Sequence, residues 1–375
     1  MDINFEGKLS ISKNKDDKTI TLVNESNEKI TLTNVVIAPL GYKETELFNG
    51  QDNGEKTIPL RFKSYKASSD HFPNILDSHG SISKLEIETN WSLKIIAITE
   101  GGWIPAGMTP NNAHFLLDKN IFNILNTRYI NGELKDNTSN DFFDLITSNN
   151  LIINPSLFML EGNNQSLERT SNDLGNKYTE ATSLITKALP TATIPFTRDE
   201  LVSATSGMLS QLYSSNSKKL LFIKSVIPIL YKETSKKKRS SVITQIKNLA
   251  ITHEIRRNEI LFIATLSAAL SSSKQNPAKK IFKPKPPENY TIKDAYNTLS
   301  DFRALDYLMW AIALDHKTQT YLCTNDKNLV KFWCAIEPNK FNIQGNLLSY
   351  NLKFKENLFG NLSDIEHKWV LESME

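Results

Sequence analysis

The sequence predicts an α/β protein: a core with a parallel central sheet, preceded by a β-rich domain and interrupted by an α-helical insertion. Three observations predict it. Residues 1–108 alternate apolar and polar side chains over short runs between turns rich in Asn, Asp and Glu, the period of half-buried strands. Short apolar runs at 114–118, 151–153 and 320–323 are each followed by helical spacing, the rhythm of βα units. Between the second and third of these runs, residues 163–298 read mostly as helix. The expected division is a β-rich domain over 1–108, a core over 109–335 holding the insertion 163–298, and a C-terminal extension over 336–375 packed on the core.

In chain order, KLSIS at 8–12, TITLV at 19–23, ITLT at 30–33, LEIET at 85–89 and LKIIAI at 93–98 read as strands of a small antiparallel domain. GQDNGEKT at 50–57 lacks the Gly-Lys-Ser/Thr order of a phosphate loop and no helical pattern follows, so it reads as a surface turn. Gly101-Gly102 and the PAG at 105–107 read as the domain linker. In HFLLDKNIF, at 114–122, a strand ends at Asp118 and a helix starts at Asn120. Residues 131–140 form a loop, and 141–148 look helical. After the strand at 151–153, Asn154-Pro155 is a strong helix start, and Glu161 falls near the second turn of that helix.

In the insertion, Thr197 and Glu200 form a capping box. An apolar stripe over 218–232 contains Pro228, which should kink or interrupt it. Residues 240–271 make one long helix or two, and the Pro/Lys segment 271–289 is expected to be extended and mobile. Ser300 is expected to N-cap a helix with Asp301 in its first turn and an apolar stripe from Leu305 to Ala313. Asp315, His316 and Lys317 make its polar exit. The strand at 320–323 follows, with Asn325-Asp326 just past its end, and the tail offers a strand at 348–354 and a helix near 365–371.

At 375 residues two or three domains are expected, each with room for a core. The two cysteines, Cys323 and Cys334, have neither disulfide-framework nor zinc spacing, which fits a reducing cytosol. The opening MDINFEGKLS has no apolar core segment, and no run is long and uncharged enough to span a bilayer. A cytoplasmic protein without membrane contact is therefore expected. The net charge of +3 hides an asymmetry: residues 163–300 hold 21 Lys and Arg against 10 Asp and Glu, which leaves the remainder acidic. A basic insert on an acidic body suits a metal site beside a polyanion-binding surface, or only a soluble lysine-rich helical surface. The basic residues singled out are Lys236, Lys237, Lys238 and Arg239 in one turn, and Lys279, Lys280 and Lys283 in the Pro/Lys segment.

Four acids occupy corresponding places. Asp118 follows the first core strand, Glu161 is on the helix after the second, Asp306 is on the helix before the last strand, and Asp326 follows that strand. Sites in parallel sheets form outside the carboxyl ends of strands. Gathered carboxylates repel unless a cation compensates them, and oxygen donors without His or Cys select Mg²⁺ or Mn²⁺. Taken singly, Asp118 reads equally as a helix cap and Glu161 as a surface residue. Asp301 rivals Asp306; the two are five residues apart, about 140° around a helix, so both cannot face one site. Asp306 is preferred because the longer apolar run follows it.

At these residues the chain resembles the PIN-domain nucleases. The matching pieces are FLLDKNIF at 115–122, IINPSLFMLEG at 152–162, LDYLMWAIAL at 305–314 and LCTNDKNL at 322–329, under a third of the chain. The resemblance implies a three-layer α/β/α sandwich with a parallel central sheet. It also implies that Asp118, Glu161, Asp306 and Asp326 bind the metal, with Asn120 and Thr324 as supporting polar groups. The large helical insertion and the β-rich N-terminal domain depart from compact members of the family. The implied activity is hydrolysis of phosphodiester bonds, in RNA ahead of DNA, with a toxin or defence effector as one setting. A non-catalytic nucleic-acid-binding or scaffolding protein with a degenerate site is the alternative. A homodimer or a regulatory protein partner is left open.

Overall fold

The computed structural model describes residues 8–13, 18–24, 26–50, 54–68, 84–111, 113–147, 149–161, 167, 169–315, 318–345, 347–355 and 358–374. The chain is mixed α/β and divides into two compact units. One comprises 1–155, 180–196 and 311–325; the other comprises 156–179, 197–310 and 326–375. His316, Lys317 and residues 51–53 of the expected surface turn lie outside the described residues.

The first unit holds two five-stranded sheets. Strands β1 (Lys8–Lys13), β2 (Lys18–Val23), β3 (Lys29–Ala38), β4 (Lys56–Ser68) and β5 (Lys84–Thr89) form an antiparallel meander in sequence order. The alternation read in the sequence sets its register. Ile20 pairs with Leu32 and Leu22 with Ile30, and Ile20, Ile30, Leu32, Ile58 and Leu60 are buried on one face while Lys29 and Thr57 are exposed.

The second sheet is built from β6 (Ile96–Thr99), β7 (Gly102–Pro105), β8 (His114–Leu117), β11 (Ile152–Asn154) and β12 (Thr320–Thr324), in the order β11-β8-β12-β6-β7. A short ribbon, β9 (Tyr129–Ile130) with β10 (Glu133–Leu134), lies between β8 and β11 in sequence. β8 runs parallel to β11 and β12, as expected, but β12 pairs antiparallel with β6 and β6 with β7. The sheet is mixed, not parallel. Gly101-Gly102, read as a linker, is the reversal of the β6–β7 hairpin, and so tight a turn joins strands only in antiparallel fashion. All five residues of β12 and three of the four in β8 are buried, the continuous apolar pattern of strands covered on both faces. Helix α1 (Lys119–Arg128) leaves directly from the end of β8. Asp141 caps a 3-10 turn (Phe142–Ile146) and ties it back to the chain before β6: its carboxylate accepts from Ser92 Oγ and the Lys94 N–H, both at 2.7 Å.

Among the described residues, the regular elements of the second unit are helices and one hairpin. Its elements are α2 (Ser156–Glu161), the start of α3 (Ser171–Ala188), α4 (Arg198–Leu230), α5 (Arg239–Thr252), α6 (Ile260–Leu270), α7 (Pro277–Phe282), most of α8 (Ile292–Leu314), α9 (Lys327–Ile336), the pair β13 (Asn339–Gln344) and β14 (Leu347–Asn351), and α10 (Asp364–Met374). The Thr197–Glu200 capping box forms as expected. Pro228 does not interrupt α4, which runs on to Leu230, two residues past it. Residues 240–271 are two helices, parted where Glu254 adopts a left-handed conformation (φ 54°). Helix α6 is buried on every side, which its unbroken apolar sequence permits.

Two further expectations are corrected. The Pro/Lys segment is not extended throughout: Asn276 caps α7 through the Lys279 N–H (2.9 Å), and Pro277 supplies the preset first turn. Ser300 is not an N-cap. Helix α8 starts two turns earlier, where Thr291 and Asp294 bond each other's backbone N–H groups at 3.3 and 2.7 Å. Asp301 is therefore a mid-helix residue, and Asp294 is the acid that complements the helix dipole. Among the described residues, no helix is long and apolar enough to cross a membrane.

Gly102 tests the mixed sheet. Its φ is +146°, and an added Cβ would lie 2.0 Å from the Leu40 carbonyl oxygen, beside the two backbone bonds (2.7 and 3.0 Å) that join Leu40 to Trp103. Gly102→Ala should lower stability by at least ~1–3 kcal/mol, the range for forced overpacking, as read in a chemical denaturation curve. An unchanged midpoint would mean this bridge does not hold the hairpin.

Candidate functional site

In the first unit, three parallel strands end on one edge. β8 and β12 run in register from Thr320 opposite His114 to Cys323 opposite Leu117, and the Asp118 N–H continues the ladder to the Cys323 carbonyl at 3.0 Å. On the other side of β8, Asn154 pairs with Leu116. Asp118, Asn154 and Thr324 are thus the residues at the carboxyl ends of these strands, where ligands of such sheets bind.

Asp118 occupies the N-cap position of α1, yet its side chain makes no capping hydrogen bond. Oδ2 accepts a hydrogen bond from Thr324 Oγ1 at 2.8 Å instead, and both residues are buried. A hydroxyl carries a single proton, and here that proton is committed to the carboxylate, which fixes the acid's rotamer and keeps this oxygen an acceptor. The capping explanation fails for Asp118, whose hydrogen-bond partner is Thr324. Asn120 is exposed in the first turn of α1, and His114 lies at the opposite end of β8. Burial lowers the His114 pKa, opposed by the nearby Asp315.

Asp326 contrasts with Asp118. Its Oδ1 accepts from the Asn328 and Leu329 N–H groups at 2.8 and 3.1 Å, so it caps α9. Glu161 is the last residue of α2 and is half-buried. Its carbonyl oxygen accepts from Arg169 Nη2 (2.8 Å) and the Tyr296 hydroxyl (3.1 Å).

Asp306 is held by an ionic group that the sequence reading did not find. Lys219 Nζ lies 3.1 Å from Asp306 Oδ2 and 3.0 Å from Glu259 Oε2, and Arg256 Nε donates to Glu259 Oε1 at 3.0 Å. Two cations and two anions alternate, so the group is neutral. Burial on its own would favour a neutral amine at Lys219, but Asp306 and Glu259 outweigh it and hold the ammonium charged. For Asp306 burial dominates and raises the pKa above the usual carboxylate range, with Lys219 opposing it. Glu259 is also pushed upward by burial, yet its two cationic partners leave it below the ordinary value. A sequence signal did exist: Lys219 heads the stripe Phe222, Ile223, Val226, Ile227 and Leu230, all buried, so it lies on the inward face of α4.

The basic residues divide. Lys236, Lys237 and Lys238 are exposed in a 3-10 turn before α5. Arg239, grouped with them by the sequence, is buried, and its Nη1 bonds both Glu366 oxygens (3.0 and 2.9 Å) and the Asn361 carbonyl (3.0 Å). It fastens α5 to α10 and is not part of the exposed basic surface. Lys280 and Lys283 are exposed, and Lys279 is half-buried in the last turn of α7. Among the described residues, no three His, Cys, Asp or Glu side chains are grouped tightly enough to hold a metal ion. Compared with protein-family models, curated proteins and solved structures, the chain matches none.

Lys219→Met should destabilise the second unit by up to ~3–5 kcal/mol, because the largely buried Glu259 and the half-buried Asp306 lose their shared counterion. Asp306→Asn should cost less, since Lys219 keeps Glu259. Glu259 also sets a pH dependence. Its folded pKa is depressed, so its contribution is complete above the ordinary glutamate range and is lost as pH falls through the lower folded value. Asp306 acts with the opposite sign, weakening the fold as pH rises from the unfolded to the raised folded pKa. Glu259→Gln should flatten the acid limb of a stability-against-pH curve; an unaltered limb would remove Glu259 from the linkage.

Proposed function

We propose that this chain is a divalent-metal-dependent nuclease acting on RNA, with a PIN-like α/β/α core, an N-terminal β-rich domain and a helical insertion. The observation that carries the reading is Asp118: a buried carboxylate at the carboxyl edge of adjacent parallel strands, diverted from capping its own helix and oriented by the Thr324 hydroxyl. Glu161, Asp306 and Asp326 enter the reading as further metal ligands through their order in the sequence and the family resemblance. The donors are hard oxygens, the type that suits Mg²⁺ or Mn²⁺. The chemistry such an ion supplies is activation of water and neutralisation of charge on a phosphodiester. Asp118 provides the anionic donor, and Thr324 holds it in one rotamer so that no reorganisation is needed when a cation arrives. Exposed Lys236, Lys237 and Lys238, with Lys280 and Lys283, are suited to sequence-independent backbone contacts. A toxin or defence effector is the setting this activity fits.

A second reading, a nucleic-acid-binding protein without catalysis, draws on two observations. Asp326 is used as a helix cap, and Asp306 already has Lys219 as its cation.

Cleavage of end-labelled single-stranded RNA and DNA, with Mg²⁺, Mn²⁺ or a chelator, separates the two. Asp118→Asn should remove most metal-dependent cleavage while the fold is kept, and Thr324→Val should reduce activity or metal affinity by about 10–100-fold, as loss of an orienting partner does. Wild-type cleavage in Asp118→Asn would sink the assignment. The same assay decides the helix register: Asp306→Ala should abolish cleavage and Asp301→Ala should not, and the reverse result would transfer the third ligand to Asp301.

A further inference from the structure

The carboxyl end of α2, within the second unit, gathers more positive charge than a six-residue helix needs. Arg169 Nη2 donates to the Glu161 carbonyl at 2.8 Å, and Arg303 Nη2 donates to the Leu160 carbonyl at 3.2 Å. The Tyr296 hydroxyl shares the Glu161 carbonyl, and the Arg303 guanidinium lies 6.0 Å over the Tyr296 ring. Tyr296 and Arg303 are seven residues apart on α8, two turns along one face, so both reach the same end of α2. Each guanidinium has five N–H donors, and one bond to a carbonyl uses one of them. Arg169 Nε is buried and makes no hydrogen bond among the described residues. A buried charged donor without an acceptor is costly, and such a group in a native protein calls for a partner. Both arginines are half-buried, so neither is sealed from solvent.

Asp173 lies near enough to Arg169 to interact with its charge, and two guanidinium groups brought to adjacent carbonyls attract a further anion. A phosphate oxygen fits: it accepts from several N–H donors at once, and the planar guanidinium fork matches it in a way an ammonium does not. We propose that Arg169 and Arg303 form a phosphate clamp at the carboxyl end of α2 that grips the backbone of single-stranded RNA. Tyr296 holds the Arg303 plane in place. The inference rests on the RNA-binding part of the function proposed above, and it names contacts that Lys236, Lys237 and Lys238 do not make.

The test is a binding assay, so that it does not depend on cleavage. Full-length protein carrying Asp118→Asn is titrated against a fluorescein-labelled single-stranded RNA without Mg²⁺ or Mn²⁺, over a range of salt concentrations. Arg303→Met and Arg169→Met should each weaken binding at least about tenfold at low salt, as expected for loss of a charge-assisted hydrogen bond. Each should also reduce the salt slope by about 0.7, the value for one phosphate contact on a single strand. Thermal melts run in parallel report any unfolding. If the methionine variants do not fold, the Arg169→Lys/Arg303→Lys protein decides: it should keep the salt slope and still bind more weakly, because the fork is gone. Unaltered affinity in folded methionine variants, or in the lysine pair, would reduce the two arginines to caps of α2 and overturn the clamp. Absence of RNA binding by the parent protein would overturn the nucleic-acid reading itself, a result distinct from tight binding that ignores the arginines.

Discussion

Hydrogen bonding along both edges of β8 is the constraint on which the first unit depends. This four-residue strand pairs with β11 on one side and β12 on the other, both parallel, so segments near residues 114, 152 and 320 must meet. A buried strand cannot leave either row of backbone groups unpaired. Parallel pairing aligns all three carboxyl ends, and it is this alignment that sets Thr324 within reach of Asp118. The mixed character of the sheet follows from the same requirement. The outer edge of β12 also needs a partner, and the hairpin at 96–105 supplies one, with β6 running antiparallel to β12.

Buried charge is handled differently in the two units. Asp118 accepts a hydrogen bond from the Thr324 hydroxyl, and Asp141 accepts from a hydroxyl and peptide N–H groups with Arg128 nearby. Such hydrogen bonds orient a carboxylate. At Asp306 and Glu259 the compensation is full positive charge on Lys219 and Arg256. Asp118 carries the functional argument because its hydrogen bond to Thr324 orients it at the strand ends.

Much of this was legible in the sequence where the signal was local. The strands at 114–117 and 320–324 and the capping box at Thr197 all follow from period, caps and turn residues. The start of α8 was equally local and was misjudged because Ser300-Asp301 competed with Thr291-Ile-Lys-Asp294, where the true cap forms. What could not be read was pairing between distant segments. Nothing in 93–105 announces that it will join β12, and nothing near Arg239 announces Glu366. The role of Asp118 falls between these cases. Its position was visible at the strand end, but its choice of Thr324 over its own helix is a matter of three-dimensional geometry. Lys219 shows a general weakness of reading charge as surface: its place on an apolar stripe was a clue that its net charge concealed.

The chain contains two cysteines, and the unit boundary at 325–326 assigns one to each unit. Cys323 is in the middle of the buried β12, where burial pushes its thiol well above the ordinary range, and Cys334 is buried in α9. A native thiol so placed reacts with an alkylating reagent only when its surroundings open, so its labelling rate measures local unfolding. Each half of this protein therefore carries its own built-in clock. With either cysteine replaced by serine or alanine, the remaining thiol times the opening of one unit without any added probe, and a difference between the two rates would establish that the units breathe independently.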